Sequence, residues 1–293
     1  MKILIADKFG PDLPDKLSKY GEVTENIEDL GSADILLVRS KTKATEDYLK
    51  EAPNLKLIIR GGVGIDNIDI NYCNSKGICV KNTPTASSVA VAELAIGMML
   101  AIKRQLIISH NSTYEGKWLK KDLKGTELYK KTLGLIGMGN IATELAKRAK
   151  AFEMKVIAYR KSNKPSDYAE IKSLDEVLSQ SDIISLHVPL TDETKEIINK
   201  ETISKMKDGV ILINTARGKL INERDLVEAL NSGKIAFAGL DVYYSEPPID
   251  SPLFQAKDKI LFTPHLGAST TENLQRIGEL VDDIIHDFIK ENR

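Results

Sequence analysis

The chain has 293 residues, of which 42% are hydrophobic and 28% are charged, and its formal net charge is −1. This composition is typical of a globular protein with room for two domains. The balanced charge offers no basic excess for nucleic acid, and its two cysteines are too few for a disulfide framework or a zinc site. Its apolar runs are far shorter than the about 20 residues that cross a bilayer. We therefore expect a cytoplasmic chain without membrane, nucleic-acid or metal contacts.

Short apolar runs rich in β-branched residues recur along the chain in two groups. The first eighty residues contain KILIA, DILLV, LKLIIR and GICVK, and the stretch from Thr132 to Pro264 contains TLGLIG, KVIAY, DIISLHV, GVILIN, AFAGLDV and ILFTP. Runs this apolar suit parallel strands that are buried on both faces. The helical patterns between them predict βαβ units, and hence two doubly wound parallel sheets of the α/β class.

Two long helical patterns link these groups. SSVAVAELAIGMMLAIKRQL begins at Ser87 and separates the two sets of strands. The last segment, from Thr270 to Lys290, places apolar residues at the helical period after the final strand. Such a helix can return to the first domain. We expect a discontinuous first domain of residues 1–97 plus 268–293 and a second domain of residues 98–267.

The stretch GLIGMGNIATELA, which begins at Gly134, joins a predicted strand to a predicted helix. Gly137 and Gly139 lead to Ala142, which gives the pattern G-x-G-x-x-A. The first glycine permits a tight turn, the second lets the backbone approach a pyrophosphate at the helix N-terminus, and the third position needs a small residue for packing. With a strand before it and a helix after it, the pattern predicts a dinucleotide site; the alternative is a plain turn.

The residue after the second strand of this unit bears on which dinucleotide is bound. An acidic residue there would bind the ribose 2′-hydroxyl of NAD, but VIAYRKSNK places Arg160 at that point. An arginine can pair with the 2′-phosphate of NADP. It can equally be a solvated surface residue, so both NAD and NADP stay open.

Three charged or titratable side chains follow strands of the second group. Arg217 follows ILINTA, Glu246 lies five residues after Asp241 at the end of another strand, and His265 follows ILFTP. The carboxyl ends of parallel strands face the ligand crevice, so these groups are predicted to converge. Arg217 would bind a carboxylate and polarise a carbonyl, His265 would exchange a proton with a hydroxyl, and Glu246 would hold the imidazole. His187 also ends a strand, where either a cofactor contact or a structural role is open.

The segments RGGVGIDNIDI, NTPTASSVAVAELAIGMMLA, GLIGMGNIA, INTARGKLINERDLVEAL, AGLDVYYSEPP and TPHLGAST together resemble the D-isomer-specific 2-hydroxyacid dehydrogenases over nearly the whole chain. The resemblance implies a Rossmann NAD(P)-binding domain inserted in a flavodoxin-like substrate domain. It places the family's catalytic arginine, glutamate and histidine on Arg217, Glu246 and His265, and its aspartate near the nicotinamide on Asp241. It also implies a homodimer.

The remaining expected contacts follow from the same resemblance. Those to the dinucleotide are Gly137, Gly139, Asn140, Ile141, Arg160, His187, Pro189, Thr194, Thr215, Ala216, Asp241 and Gly267. Those to the substrate are Arg39 and Ser40, which end the strand DILLV and offer a cation and a hydroxyl to a phosphate, and Gly61, Gly62, Val63 and Gly64, whose backbone can approach a carboxylate. The alternatives are a surface arginine and an ordinary loop.

Within the family, the greatest likeness is to members that oxidise 3-phosphoglycerate to 3-phosphohydroxypyruvate, the first step of serine biosynthesis. Because the sequence stops at Arg293, just after the closing helix, we expect no serine-binding regulatory domain. A glyoxylate or hydroxypyruvate reductase of the same family uses the same catalytic residues. A nucleotide-sensing interaction protein, like the co-repressors that share this fold, is the alternative from another class, and detectable turnover would separate it from an enzyme.

Overall fold

The computed structural model describes residues 1–162 and 164–292. The chain divides into two compact units, Met1–Ser87 with Ala268–Arg293, and Ser88–Gly267. The boundary expected between residues 97 and 98 falls inside a helix that begins at Ser88, so the division lies ten residues earlier. The physical reason is that this helix packs along its length in the core of the second unit, where Ala92, Met98 and Met99 are buried.

Parallel strands and helices alternate in both units, as the apolar runs predict. The strands are β1 Lys2–Ile5, β2 Glu22–Thr24, β3 Ile35–Val38, β4 Leu57–Arg60, β5 Cys79–Asn82, β6 Thr132–Ile136, β7 Lys155–Tyr159, β8 Glu170–Ile171, β9 Ile183–Leu186, β10 Val210–Asn214, β11 Ile235–Leu240 and β12 Ile260–Phe262. The helices are α1 Leu13–Leu17, α2 Glu46–Lys50, α3 Ile70–Lys76, α4 Ser88–Lys103, α5 Leu106–Tyr114, α6 Asn140–Ala151, α7 Leu174–Gln180, α8 Lys200–Ser204, α9 Glu223–Ser232 and α10 Thr271–Glu291.

The first unit is a five-stranded sheet of strand order β2-β1-β3-β4-β5, in which every pair is parallel. This is the flavodoxin-like order. The closing helix α10 covers one face of the sheet, and its Ile277, Val281 and Ile285 are fully buried against β1 and β4 residues such as Ile3 and Ile59. The last helix thus packs on the sheet formed by the first group of strands.

The second unit is a seven-stranded parallel sheet of order β12-β11-β10-β9-β6-β7-β8. Its direction of winding reverses between β6 and β9, which lie side by side, as in Rossmann folds. All residues of β9 and β10 are buried, as expected of central parallel strands. Ligands of open α/β sheets bind beyond the carboxyl ends of the strands at such a reversal. The predicted fold class, two doubly wound α/β domains, is confirmed.

Across the residues that the structure describes, no helix is both long enough and apolar enough to cross a membrane.

Candidate active site

The glycine turn lies at the reversal point of the second sheet. Gly137 has φ of +101°, and a Cβ there would stand 2.5 Å from the carbonyl oxygen of His187. Its N–H donates to Tyr159 O at 2.8 Å, and the His187 N–H donates to Ile136 O at 2.7 Å. The fold itself therefore demands glycine at position 137, because β6 and the end of β9 meet backbone to backbone.

At Gly139, in contrast, the fold itself does not require a glycine. Its φ of −93° suits any residue, and no described protein atom outside its chain neighbours lies within 4 Å of where its Cβ would stand. Gly139 precedes α6, whose N-terminus receives no side-chain cap, and both Gly139 and Asn140 are exposed. The first amides of this helix, among them that of Ile141, are thus available to an anion, as a dinucleotide pyrophosphate requires.

Ala142, at the third position of the motif, is fully buried among Leu133, Leu135 and Leu145. A larger side chain would push α6 away from β6, since core packing leaves little spare volume. The small residue is therefore explained by helix–strand packing. Together, the uncapped helix, the open face at Gly139 and the tight packing at Ala142 fit a bound dinucleotide.

Arg160 follows β7 directly, at the position where an NAD site has an acidic residue. Its Nη1 donates to Lys164 O at 3.4 Å, and the side chain is half-buried. The next residue, Lys161, forms an exposed ion pair of 2.8 Å with Glu193. The end of β7 thus carries positive charge at Arg160.

His187 is partly buried at the end of β9. Its Nε2 lies 2.9 Å from Ser185 Oγ, and burial lowers the pKa of the imidazole from 6.5 to about 4. The loop beyond it is held by Thr194, whose hydroxyl donates to Pro189 O at 2.6 Å and accepts the Thr191 N–H at 2.8 Å. A structural role of His187 explains its hydrogen bond to Ser185. The loop after His187 is held by its own hydrogen bonds.

The turn after β10 is shaped by Asn214, a residue that the sequence analysis passed over. Its fully buried side chain accepts the Ala216 N–H at 3.0 Å and donates to Arg217 O at 2.8 Å. Thr215, between them, has a buried hydroxyl with no hydrogen-bond partner in the described part of the chain. A buried polar group without a partner calls for an explanation, and a bound ligand supplies one. An asparagine ending an apolar strand was the available signal.

Arg217 stands at the end of that turn, and its Nη1 donates to Ala216 O at 2.7 Å. The next residue, Gly218, is buried against the backbone of Tyr243, with which any Cβ would overlap. This close approach presses the Arg217 turn against the segment that leads to Glu246. The charge of Arg217 is close enough to help lower the pKa of Glu246.

Glu246 and His265 form a hydrogen-bonded pair. Glu246 Oε2 lies 2.7 Å from His265 Nδ1, and both side chains are about two-fifths exposed, at 39% and 38%. Burial opposes ionisation of Glu246, but the hydrogen bond from His265, the nearby cations and the Tyr243 N–H outweigh it and hold the pKa of the carboxyl below its usual value. With Nδ1–H directed at the carboxylate, Nε2 is the ring nitrogen left to exchange a proton with a substrate.

The backbone around His265 is unusual. His265 has φ of +55°, a left-handed conformation that residues other than glycine rarely adopt. Asp241, fully buried, holds the following residues: its carboxylate accepts the Thr263 hydroxyl at 2.6 Å and the N–H groups of Leu266 and Gly267 at 2.7 and 2.8 Å. In the structure Asp241 therefore anchors the histidine loop, a role that the sequence analysis did not foresee.

In the first unit, the guanidinium of Arg39 donates hydrogen bonds to main-chain carbonyls. Its Nη1 donates to Lys8 O at 3.2 Å and its Nη2 reaches Ala268 O at 3.5 Å. Burial lowers the pKa of the guanidinium, opposed by the charge of Asp7. Ser40, the next residue, is exposed on the loop. Arg39 and Ser40 thus lie just after β3, where a phosphate contact is expected, but the arginine donates to main-chain carbonyls.

In the glycine loop after β4, packing and backbone conformation explain the first two glycines, Gly61 and Gly62. A Cβ on Gly61 would stand 2.6 Å from the Phe9 ring, and Gly62 has φ of +149°. Their N–H groups donate to Val38 O and Arg60 O, at 2.8 and 2.9 Å.

The second half of this loop is different. The Asn82 side chain holds the carbonyl of Val63, whereas no acceptor in the described ranges pairs with the N–H groups of Val63 and Gly64. These two amides, and not those of Gly61 and Gly62, are the ones that could reach a carboxylate. Sequence patterns cannot separate the two kinds of glycine, because the difference lies in which carbonyls the fold brings near.

Arg60, the last residue of β4, is a further cation that the sequence analysis missed. Its guanidinium lies against Gly62, where a Cβ would overlap it. Its position at a strand end, one residue before the glycine loop, was the signal that could have found it.

The chain belongs to the D-isomer specific 2-hydroxyacid dehydrogenase family. The family's NAD binding domain matches residues 96–267, which include the glycine turn and Arg217, Glu246 and His265. This membership makes the protein an NAD(P)-dependent oxidoreductase of the D-2-hydroxyacid dehydrogenase class.

Three similar proteins illustrate the relationships of this chain within the family. The chain is 51% identical to a hydroxypyruvate reductase of Thermotoga maritima over 92% of this chain and 90% of that one. It is 44% identical to a D-3-phosphoglycerate dehydrogenase of Methanocaldococcus jannaschii, of which it spans only 58% while 99% of this chain is matched. A D-lactate dehydrogenase of Aquifex aeolicus, solved with NAD and lactic acid, superposes with a TM-score of 0.87 at 34% identity and covers 99% of this chain and 96% of its own.

Proposed function

We propose that the protein reduces hydroxypyruvate or a similar short 2-oxo acid to the D-2-hydroxy acid, with Arg217, Glu246 and His265 as its catalytic residues. The 2.7 Å pair of Glu246 and His265, beside the Arg217 turn, is the observation that carries the assignment. Hydride transfer to a carbonyl requires a cation that polarises the oxygen and an imidazole, held by a carboxylate, that donates a proton.

Each residue has a distinct task in this reaction. The nicotinamide, when bound, donates the hydride to the carbonyl carbon. Arg217 binds the substrate carboxylate and polarises the carbonyl oxygen, on which negative charge develops. His265 gives its Nε2 proton to that oxygen, and Glu246 stabilises the imidazolium from the Nδ1 side. In the oxidation direction the same nitrogen takes the proton back.

The choice of an unphosphorylated substrate rests on Arg39. Its two terminal nitrogens are directed at main-chain carbonyls, which weakens the case for a phosphate ligand at the end of β3. The hydroxypyruvate reductase of Thermotoga maritima, matched over almost its full length, supports the same choice.

A second candidate is the oxidation of 3-phosphoglycerate for serine biosynthesis, as the sequence analysis predicts. Arg60 favours it: its partner across the β3–β4 pair is Val38, the residue before Arg39, and a second cation at these strand ends could bind a phosphate. The relative from Methanocaldococcus jannaschii carries that name, although this chain spans little more than half of it.

We propose NADPH as the preferred reductant. The positive charge of Arg160 at the end of β7 can pair with a 2′-phosphate, whereas NAD would find no carboxylate at that position. Other members of the expected dinucleotide set, Gly137, Gly139, Thr215 and Gly267, make no distinction between the two cofactors.

Initial rates of cofactor oxidation test the proposal. Hydroxypyruvate, glyoxylate and 3-phosphohydroxypyruvate are each compared with NADH and NADPH, for the wild type and for Arg160→Ala and Arg39→Met. We expect the highest kcat/KM with hydroxypyruvate and NADPH, and a selective loss of NADPH use in Arg160→Ala. A preference for the phosphorylated acid that Arg39→Met abolishes would replace the proposal by the second candidate.

A further inference from the structure

We propose that Tyr243 is a positioning residue that holds Glu246 and His265 in register. It touches neither substrate nor cofactor in this account, and it acts through the acid–base pair. The inference rests on the proposed function for its catalytic meaning, but the contacts that carry it are independent of the substrate.

The hydroxyl of Tyr243 fixes the carbonyl on which the His265 backbone depends. It lies 2.7 Å from Thr263 O and 3.0 Å from Leu240 O, at the ends of β12 and β11. The same Thr263 carbonyl accepts the His265 N–H at 3.0 Å, within the turn where His265 has φ of +55°. A donor on this carbonyl therefore restrains the strained turn that aims the imidazole.

The backbone of Tyr243 reaches the other member of the pair. Its N–H donates to Glu246 Oε1 at 3.3 Å, while Oε2 of the same carboxylate meets the imidazole. Gly218, next to Arg217, packs on the Tyr243 carbonyl. One residue thus contacts the loops of all three proposed catalytic groups.

Packing alone does not explain a hydroxyl at this position. The Tyr243 ring stacks on Phe262 with centroids 6.2 Å apart, a contact that phenylalanine would make equally well. Burial, reinforced by the charge of Asp241, raises the pKa of the phenol to about 12, so the group stays a hydrogen-bond donor at working pH. The charge of Glu246 acts in the same direction.

The test is Tyr243→Phe, with Tyr244→Phe as its matched control. Tyr244 is 43% exposed, and its ring lies under Lys219, away from these hydrogen bonds. Losing one neutral hydrogen bond is worth about 1 kcal/mol, so we expect kcat to fall about fivefold in Tyr243→Phe with the KM for the dinucleotide unchanged. The control keeps the wild-type kcat.

A second readout does not need turnover. The chain has four histidines, so the Nδ1 proton of His265 can be identified by NMR on protein with ¹⁵N-labelled histidine, by its loss in Glu246→Ala. We expect a protected signal in the wild type and Tyr244→Phe, and a broadened one in Tyr243→Phe. A protected signal together with a wild-type kcat in Tyr243→Phe, or no protected signal in the wild type, would overturn the proposal. Failure of every 2-oxo acid as substrate would instead count against the proposed function.

Discussion

At the scale of single residues, environment decides which of several similar side chains can do chemistry. His187 and His265 both follow strands of the second sheet, and sequence position alone does not separate them. The structure gives His187 a buried hydroxyl partner and no charge, whereas His265 meets a carboxylate at a partly exposed site. Only the second arrangement supports proton exchange with a ligand.

The lowered pKa of His187 predicts an acid-sensitive fold. Its pKa is about 4 in the folded chain and about 6.5 unfolded, so below about pH 6.5 the unfolded state binds the extra proton. Its contribution to stability is complete above that pH and is lost as the pH falls towards 4. We expect His187→Gln, whose amide can still bond Ser185, to show a smaller drop in melting temperature between pH 7 and pH 5. Equal drops in both proteins would contradict this.

The two glycines of the turn make a second prediction at this scale. Gly139→Ala meets no protein atom and needs no strained φ, so the melting temperature of the free protein should stay unchanged. The added methyl group would meet the pyrophosphate, and we expect the dinucleotide Kd to rise about tenfold or more, which corresponds to about 1.4 kcal/mol.

Gly97→Ala is the matched control, since Gly97 is exposed on α4 with open space around its Cβ. Calorimetric titration with the dinucleotide compares the three proteins. Wild-type affinity in Gly139→Ala would show that the turn does not hold the pyrophosphate.

At the scale of elements, the sequence predicts buried strands well and the shortest edge strands poorly. The apolar runs of β3, β9 and β10 predict strands, and these strands are buried throughout. β2 and β8 were missed because they have three and two residues, lie at sheet edges and contain no buried residue. These two strands form because they pair with a neighbouring strand, and their own sequences show no hydrophobic pattern that predicts the pairing.

The same limit applies to the candidate site. The strand-end rule is enough to predict Arg217, Glu246 and His265 from the order of strands, because parallel strands present their carboxyl ends at one edge. It cannot predict that Asn214 shapes the Arg217 turn or that Asp241 anchors the His265 loop. Those roles depend on which backbone groups lie within hydrogen-bond reach after folding, and one-dimensional spacing does not encode that distance.

At the scale of the whole molecule, the second unit leaves apolar side chains unburied. Leu106, Ile107 and Ile108 of α5 are about half exposed, and Tyr114 and Trp118 are 87% and 78% exposed. The helix α4, in contrast, buries its apolar residues in its own unit. We therefore propose that the homodimer expected from the family resemblance forms through α5 and the segment that follows it, because apolar patches of this kind mark association surfaces.

Trp118 is the only tryptophan of the chain and reports on this association directly. Sedimentation at micromolar concentration should give twice the 32.4 kDa of one chain. Dilution should move the tryptophan emission to longer wavelength as the dimer separates, and Ile107→Lys should do so without dilution. Lys234→Gln, a change outside this surface, is the control. A monomeric mass with an emission that does not depend on concentration would remove the dimer.

The most direct test of the account is the activity of His265→Asn beside His286→Asn. His286 is exposed on α10, in the other unit, and serves as the matched control. With hydroxypyruvate and saturating NADPH we expect kcat of His265→Asn to fall by about 10²- to 10⁴-fold, the range that general acid–base catalysis contributes, with an unchanged dinucleotide Kd. His286→Asn should retain the wild-type rate. A His265→Asn protein that binds the dinucleotide and turns over at the wild-type rate would contradict the assignment of the proton transfer to His265.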